Sequence, residues 1–409
     1  MKYLIKQPTY YKEFKCDGVN CEDSCCMGWN IWIDKKHYDK LRNLKNKELK
    51  YEIKNSIKRY KKEDKSFDHY AEMQINKLGQ CPFLTKDKLC NIQLNCSEDM
   101  LPNVCRIYPR EVNLVNKDIE RSISVSCPIA AEMILFDKDG IKFEEVYGEN
   151  EFKNIFNGIY NIYNENNYLE DLRTFSIQIM KSRDYEIWER LIILGMFIER
   201  IDKLIADKNF YEIRNVIEVF TNLIVSGAMK DVLQDMPTNI DVQIKLLKEI
   251  LDERFLLSSN IDNKDRYMQS FMEAINALGY DEEYTFERVK LNYNKFFEEY
   301  MKNYLIEKDY VFENLIVNHI FKKVFPFEGD KTPWSNYVMI ILHYSLIKML
   351  LTGLMAYHKE NFNDKITLKL IQSFERNFEH NSLFKEHIYN LITKNNFDTM
   401  AYMAILIKN

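Results

Sequence analysis

The cysteines of this chain are confined to its first third. All nine lie between Cys16 and Cys127, and residues 128–409 contain none. They form the spaced groups Cys16-x4-Cys21-x3-Cys25-Cys26 and Cys81-x8-Cys90-x5-Cys96-x8-Cys105, followed by Cys127 alone. In a reducing cytosol so many thiols have little use unless they bind a metal or do redox work. The sequence therefore predicts a metal-binding cysteine module joined to a cysteine-free body.

The N-terminal segment decides how these thiols are interpreted. It reads MKYLIKQPTYYKEFKC, and Lys6, Pro8 and Lys12 leave no apolar stretch long enough for a signal peptide. We therefore expect a cytoplasmic protein whose thiolates bind zinc, copper(I) or an iron–sulfur cluster. Disulfide scaffolding is the alternative. The odd number of cysteines leaves at least one thiol outside any set of four-cysteine sites.

The rest of the chain has the pattern of a helical protein. From about residue 170 onward, apolar residues recur at spacings of three and four, as in Arg190–Ile205. Similar patterns predict helices over 208–227, 240–256, 264–278, 283–304, 310–324, 334–358, 366–378, 382–394 and 397–407. Tyr337–Tyr357 is apolar enough for a membrane span, but His343 and Lys348 in its interior favour a helix buried in a bundle.

The predicted fold is mainly α. A loop-rich cysteine and metal module over residues 1–140 is followed by an irregular all-α domain over residues 141–409. The boundary is expected within residues 137–168, which are rich in Asp, Asn, Glu and Gly. Inside the module, residues 35–62 predict a polar helix, Glu120–Ser126 alternates like a short strand, and Pro128 begins a helix.

Charge and motif content exclude several function classes. A net charge of −5 gives no support for wholesale nucleic-acid binding. No G-x-G occurs, so neither a Rossmann fingerprint nor the usual glycine-rich loop of a doubly wound methyltransferase is present. The P-loop, G-x-S-x-G and H-E-x-x-H motifs are also missing. The chemistry must therefore belong to the cysteine module, to the helical body, or to residues between them.

Several motifs occur in a fixed order along the chain. The cysteine region contains FKCDGVNCEDSCCMGWNIWID (Phe14 to Asp34), CPFLTKDKLCNIQLN (Cys81 to Asn95), CRIYPR (Cys105 to Arg110) and SISVSCP (Ser122 to Pro128). The helical region contains RTFSIQIMKSRDYEIWERLIILGMF (Arg173 to Phe197), ENLIVNHIFKKVFPF (Glu313 to Phe327) and RNFEHN (Arg376 to Asn381). Together they resemble the flagellin lysine-N-methylase family nearly end to end. The first 127 residues also resemble small zinc- or iron-chelating cysteine-cluster domains.

This resemblance implies methyl transfer from S-adenosylmethionine to lysine ε-amines of flagellin, in a protein that carries an iron–sulfur cluster, with zinc as the alternative metal. The implied metal ligands are the cysteines at family-like positions: Cys16, Cys21, Cys25, Cys26, Cys81, Cys90, Cys105 and Cys127. Cys96 is an extra. These thiolates allow two four-cysteine sites, or one cluster with additional thiols. The Cys21-x3-Cys25-Cys26 spacing departs from the C-x3-C-x2-C radical signature, so radical and polar transfer both stay open.

Candidate site residues outside the cysteines form two sets. The candidate catalytic residues are Tyr108, Glu379 and His380, and the last two are candidate bases for the lysine amine or a structural pair between helices. The candidate cofactor-binding residues are Arg106, Arg110, Trp29 and Trp32. The arginines suit a cluster sulfur or a cofactor carboxylate, and the tryptophans suit either the core or an adenine ring.

Two classes of function follow from these residues. The first is a protein-lysine methyltransferase with flagellin as its substrate and no nucleic-acid or membrane partner. The alternative is a non-enzymatic metal-binding or redox-sensing interaction protein with a structural zinc or iron–sulfur site, in which the helical body is the platform for a partner.

Overall fold

A computed structural model of the chain describes residues 2–28, 31–61, 69–152, 155–162, 168–236, 238–257, 266–329, 331–379 and 382–409. Helices predominate in these ranges, which confirms the mainly α fold. The chain forms two compact units, Met1–Ala130 with Phe143–Tyr160, and Ala131–Lys142 with Asn161–Asn409. Two of the three points at which the chain changes unit fall inside the predicted boundary region, 137–168.

The first unit contains two β-sheets. Its strands are β1 (Tyr3–Pro8), β2 (Ile31–Ile33), β3 (Ile57–Arg59), β4 (Ala71–Met73), β5 (Arg110–Val115), β6 (Asp118–Ile123), β7 (Phe143–Gly148) and β8 (Gly158–Tyr160). One sheet has the order β7-β1-β6-β5-β8, and the other has the order β2-β4-β3. In the larger sheet β1 is parallel to β6 and antiparallel to β7, which places Ile5 opposite both Ile119 and Val146. The larger sheet thus joins the beginning of the chain to residues more than a hundred positions later.

Short helices accompany these strands, namely α1 (Lys35–Arg42), α2 (Lys47–Ser56), α3 (Asn91–Asn95) and α4 (Asn103–Ile107). Helix α5 (Pro128–Leu135) contains the point at which the chain passes from the first unit to the second. The polar helix predicted over 35–62 is interrupted, because the Asn46 side chain accepts hydrogen bonds from the N–H groups of Glu48 and Leu49 and starts a new helix. Helix α5 begins at Pro128 as predicted. The strand predicted at Glu120–Ser126 overlaps β6, which begins two residues earlier and ends three residues earlier.

The acidic segment after residue 140 contributes strands as well as connections. Strand β7 pairs with β1 along its whole length, and its side chains are at most partly buried. Glu144 on this edge strand accepts hydrogen bonds from Gln7 at 2.8 Å and from Lys12 at 2.8 Å. Phe143–Gly148 and Gly158–Tyr160, which the sequence pattern assigned to the all-α domain, are therefore strands of the larger sheet in the first unit.

The second unit is built from helices. They are α6 (Tyr168–Met180), α7 (Ile187–Ala206), α8 (Ile213–Val225), α9 (Ala228–Gln234), α10 (Ile240–Leu257), α11 (Arg266–Leu278), α12 (Phe286–Phe296), α13 (Lys302–Lys308), α14 (Tyr310–Lys322), α15 (Pro333–His358), α16 (Asp364–Glu379), α17 (Ser382–Lys394) and α18 (Met400–Ile407). Each predicted segment from residue 190 onward matches one of these, except 283–304. That segment is α12 and α13, joined by the π-helical turn Phe297–Met301.

Helix α15 is the centre of the second unit. It packs against α7, α11, α12, α16 and α18, and nearly all of its 26 residues are buried. The helix is long and apolar enough to cross a membrane, but its apolar window is completely buried inside the structure, as expected of a core helix. Gly353 allows the closest approach of α11, because a Cβ atom there would lie 2.4 Å from the carbonyl oxygen of Ala274.

Candidate functional site

A short backbone ladder brings the first two cysteine blocks together. The N–H of Cys81 donates to the carbonyl of Cys26 at 2.8 Å, and the N–H of Gly28 donates to the carbonyl of Gly79 at 2.8 Å. Both glycines have positive φ, +79° and +71°, which a residue with a Cβ atom rarely adopts. The two glycines thus let the chain turn so that residues 26–28 pair with residues 79–81.

The second cysteine block is held on an apolar core. Cys90 pairs with Leu84 across a hairpin and is the residue from which α3 begins, while Cys105 lies on α4. Cys81 belongs to a buried cluster that includes Ile33, Leu41 and Phe83. The cysteines that pack against this cluster are Cys26, Cys90, Cys96 and Cys105.

Cys25, Cys81, Cys90 and Cys105 are electrostatic neighbours, and we call them the four-thiol group. Burial raises the pKa of Cys105 well above its usual range, and the thiols of Cys81, Cys25 and Cys90 raise it further. Burial likewise raises the pKa of Cys81 to about 11, with added contributions from Cys90 and Cys25. Cys25 and Cys90 thus act on both Cys81 and Cys105, although Cys25 belongs to the first cysteine block.

Cys16, Cys21 and Cys127 form a second set, the three-thiol group. Burial raises the pKa of Cys127 to about 12, although the N–H groups of Ala130 and Ile129 oppose the shift. The thiols of Cys21 and Cys16 add to that increase. Burial also raises the pKa of Cys21, whose sulfur lies 3.4 Å from the carbonyl oxygen of Asp23. Cys25 also raises the pKa of Cys21, and Cys96 raises that of Cys90, so the two groups adjoin at Cys25, and Cys96 lies beside the four-thiol group. The sequence could not predict these neighbours, because they depend on the fold.

The described thiols do not form a closed metal site. Within the described ranges, no three His, Cys, Asp or Glu side chains are close enough together to hold one metal ion. All nine cysteines are free thiols rather than disulfides. The donor type of the four-thiol group nevertheless suits a thiophilic metal, since a metal replaces the protons that burial otherwise keeps on these sulfurs.

The residues of the CRIYPR motif contact protein groups. The Arg106 guanidinium lies 3.9 Å from the Glu98 carboxylate and 3.8 Å from the Asp99 carboxylate. The Tyr108 hydroxyl is 3.1 Å from that of Ser126. The Arg110 guanidinium lies over the Phe14 ring at 5.0 Å and over the Tyr11 ring at 5.8 Å. Their assignment to cofactor binding and catalysis stays a prediction.

Trp32 lies on the surface rather than in the core. Its side chain is 39 % exposed. The ring stacks on Tyr60, with centroids 5.5 Å apart, and on His69, with centroids 4.8 Å apart. This position follows from strand alternation, because Ile31 and Ile33 on either side are buried. Trp29 lies outside the described residues.

A cluster of buried charged residues occurs in the second unit, where α14, α15 and α16 meet. Lys322 forms an ion pair with Glu379, and His343 forms an ion pair with Glu375. The four side chains are at most 7 % exposed. We call them the α14–α16 charge cluster. His343 is thus a core histidine with a partner, as the sequence predicts. His380, the other candidate base, lies outside the described residues.

Electrostatics fix the charge state of this cluster. Burial would raise the pKa of Glu375, but His343, then Lys322 and His319, lower it to about 2, so the carboxylate is ionised at neutral pH. Burial lowers the pKa of His319 well below its usual range, and His343 and Lys322 lower it further. His319 is therefore a neutral imidazole at neutral pH. The sequence pattern assigned no chemistry to His319, although its position within the Glu313–Phe327 motif could have drawn attention to it.

Comparison with known proteins identifies the family. The model of the FliB lysine N-methylase C-terminal domain matches residues 173–406, which is more than half of the chain. The chain therefore belongs to the FliB lysine N-methylase family, and it is a protein-lysine N-methyltransferase.

Three relatives extend this comparison. The lysine-N-methylases of Salmonella typhimurium and Salmonella choleraesuis are each 23 % identical over 386 residues, which is 92 % of this chain and 92 % of theirs. The flagellar biosynthetic protein FliU of Salmonella muenchen is 30 % identical over 142 residues, covering 34 % of this chain and 82 % of that protein. No solved structure matches the chain.

Proposed function

We propose that this enzyme transfers methyl groups from S-adenosylmethionine to lysine ε-amines of flagellin. The observation that carries the proposal is the match to lysine-N-methylases over 92 % of both chains. A flagellar substrate is supported by the name of the relative from Salmonella muenchen, a flagellar biosynthetic protein. S-adenosylmethionine supplies an electrophilic methyl carbon, and a lysine amine is a sufficient nucleophile once it has lost its proton.

We further propose an iron–sulfur cluster on the four-thiol group, with zinc as the alternative metal. Support comes from the mutual proximity of Cys25, Cys81, Cys90 and Cys105 and from the preference of thiolates for such metals. Ligation requires the described thiols to move closer together, because within the described ranges they do not form a closed site. The four cysteines would hold the cluster beside the apolar core on which they pack.

Flagellin methylation is tested with a substrate pair. Purified enzyme is incubated with methyl-labelled S-adenosylmethionine and the cognate flagellin, or with the same flagellin after its surface lysines have been changed to arginine. Label in the first flagellin and none in the second is the expected result. Equal labelling of unrelated lysine-rich proteins would remove flagellin as the substrate and leave the lysine methyltransferase class intact.

A further inference from the structure

A cleft of about 370 Å³ lies on the surface of the second unit between α6 and α8. The two helices are joined at their first turns, where the rings of Tyr168 and Phe210 stack with centroids 6.1 Å apart. Beyond the end of α6, the Tyr185 hydroxyl donates to the carbonyl of Ile224 near the end of α8 at 3.0 Å. The cleft therefore lies between two anchored helices, and most of its lining residues fall within the FliB family match, 173–406.

The cleft combines an apolar floor with a polar rim. Phe175 is buried and packs edge to face on Phe197 of α7, with ring centroids 4.9 Å apart. The partly buried Ile217 lines the cleft from α8. The rim consists of the more exposed lining side chains, namely Asp171, Thr174, Gln178, Arg214 and Glu218. Such a lining suits a long side chain that has an apolar stem and a charged or polar end.

The charge of the rim is negative. Arg214 Nε lies 3.1 Å from Asp171 Oδ2, so these two groups compensate each other. Glu218 is exposed and forms no hydrogen bond or ion pair among the described residues. Its carboxylate is thus the uncompensated charge of the cleft, and the complementary ligand is a cation.

We propose that the α6–α8 cleft is a docking site for a lysine-bearing segment of the protein substrate, in which Glu218 binds a lysine ammonium and Phe175 and Ile217 contact its methylene stem. The inference rests on the proposed function, since flagellin is the protein that supplies this lysine. It concerns binding and includes no chemical step. The docked lysine therefore positions the substrate and is not the lysine that is methylated.

The chemistry of the cleft selects this occupant. A protein substrate of a lysine methyltransferase carries lysines, and a lysine side chain matches both the apolar floor and the free carboxylate of the rim. Val225 lies two helical turns after Glu218, on the same face of α8, and is 82 % exposed. An apolar side chain of the same substrate segment thus has a contact beside the cleft.

Flagellin binding without a methyl donor, measured by calorimetry, tests the cleft apart from turnover. Glu218→Lys replaces attraction with repulsion and should weaken binding about tenfold or more. Thr174→Trp, at an exposed position of α6, fills the cleft without altering its charge and should also weaken binding. Glu249→Lys is the matched control, because Glu249 is an exposed carboxylate without a partner among the described residues and lies on α10, outside the cleft. It should bind flagellin as the parent protein does.

Arg214→Gln should have the opposite effect. Without the guanidinium, Asp171 becomes a second uncompensated carboxylate of the rim, so binding should tighten by about threefold. In turnover assays the effects of all the cleft variants should appear in KM with kcat nearly unchanged, because the docking residues touch no reacting atom. Circular dichroism checks that the fold persists in each variant.

The outcomes separate the docking site from the proposed function. Equal flagellin affinity of the parent protein, Glu218→Lys and Thr174→Trp overturns the docking site even if the parent protein methylates flagellin. Weakened binding in both variants supports the docking site even if the parent protein shows no turnover, a result that would overturn the function alone. A benzoylphenylalanine photo-cross-linker in place of Thr174 should capture a lysine-bearing flagellin peptide, and cross-links only between two copies of the enzyme would overturn the proposal.

Discussion

Glu375 is an ionised carboxylate inside an apolar helix interface, and its charge depends on His343. The two side chains form a buried ion pair, and Phe374 and Phe378 pack against the imidazole. A buried pair of this kind is weak evidence for net stabilisation, but removal of one partner leaves the other charge unpaired. The pair is therefore a sensitive point for both stability and pH dependence.

Glu375→Gln should destabilise the protein by roughly 3 kcal/mol, because it leaves His343 without its carboxylate. The Glu273→Gln variant is the control, since its partner His358 is 24 % exposed and therefore partly solvated, and it should cost less than about 1 kcal/mol. Urea unfolding at pH 7 measures both. Equal costs would contradict a special role for the buried pair.

The pH dependence of stability follows from the same carboxylate. The pKa of Glu375 is lowered from 4.5 to about 2 in the folded protein. Its contribution is thus fully present above about pH 4.5 and is lost as the pH falls towards 2. The parent protein should lose more stability than Glu375→Gln over this pH range in urea unfolding. Parallel curves would show that another group controls acid unfolding.

Among individual residues, the sequence predicted the environment of some and not of others. His343 was recognisable because a titratable side chain is rare inside an apolar helix, and Glu379 was singled out by the RNFEHN motif. The buried, neutral state of His319 was not recognisable, since it depends on neighbours from α15 and α16. Trp32 was expected in the core or on an adenine ring; strand alternation puts it on the surface, which contradicts the first assignment, and the second stays a prediction.

At the scale of elements, the contact between α11 and α15 depends on one glycine. A Cβ atom at Gly353 would meet the backbone of Ala274, which cannot move aside as a flexible side chain can. Gly353→Ala should therefore destabilise the second unit by about 2 kcal/mol, despite the better helix propensity of alanine. Leu291→Ala, at an exposed position on α12, is the control and should be nearly neutral. Unchanged thermal unfolding of Gly353→Ala would contradict this close packing.

The helices were predictable and the long-range strands were not. Amphipathic periodicity places the segments of the second unit to within a few residues, because each helix buries one face. Among the described strands only β6 was predicted, and Ile57–Arg59, which lies in the predicted helix 35–62, is strand β3. Strands β1, β5 and β7 illustrate why the others were missed. They are short, and β1 is completed by partners more than a hundred residues away, which no local pattern records. The acidic edge strand β7 also has the composition of a linker.

At the scale of the whole molecule, the cysteine-rich unit should depend on its metal for folding. Metal-binding energy becomes folding energy when ligands come from distant parts of a chain, as they do in the four-thiol group. Anaerobically purified protein should contain iron and acid-labile sulfide. Cys105→Ser should lose both and leave residues 1–130 protease-sensitive while residues 161–409 stay protected.

Cys96→Ser is the matched control for Cys105→Ser, because Cys96 also packs on the apolar core but is not a predicted ligand. It should keep its iron and its protease resistance. Stoichiometric zinc without sulfide would replace the iron–sulfur assignment with the zinc alternative. Metal content unchanged in Cys105→Ser would remove the four-thiol group as the metal site.

The identity of the methylated atom tests the central claim most directly. The enzyme is incubated with cognate flagellin and S-adenosylmethionine carrying a deuterated methyl group, and the flagellin peptides are sequenced by tandem mass spectrometry. The account predicts the deuterated methyl group on lysine Nε atoms, and none when enzyme is omitted. Deuterated methyl groups only at other atoms, or unmodified flagellin with fully metal-loaded enzyme, would contradict it.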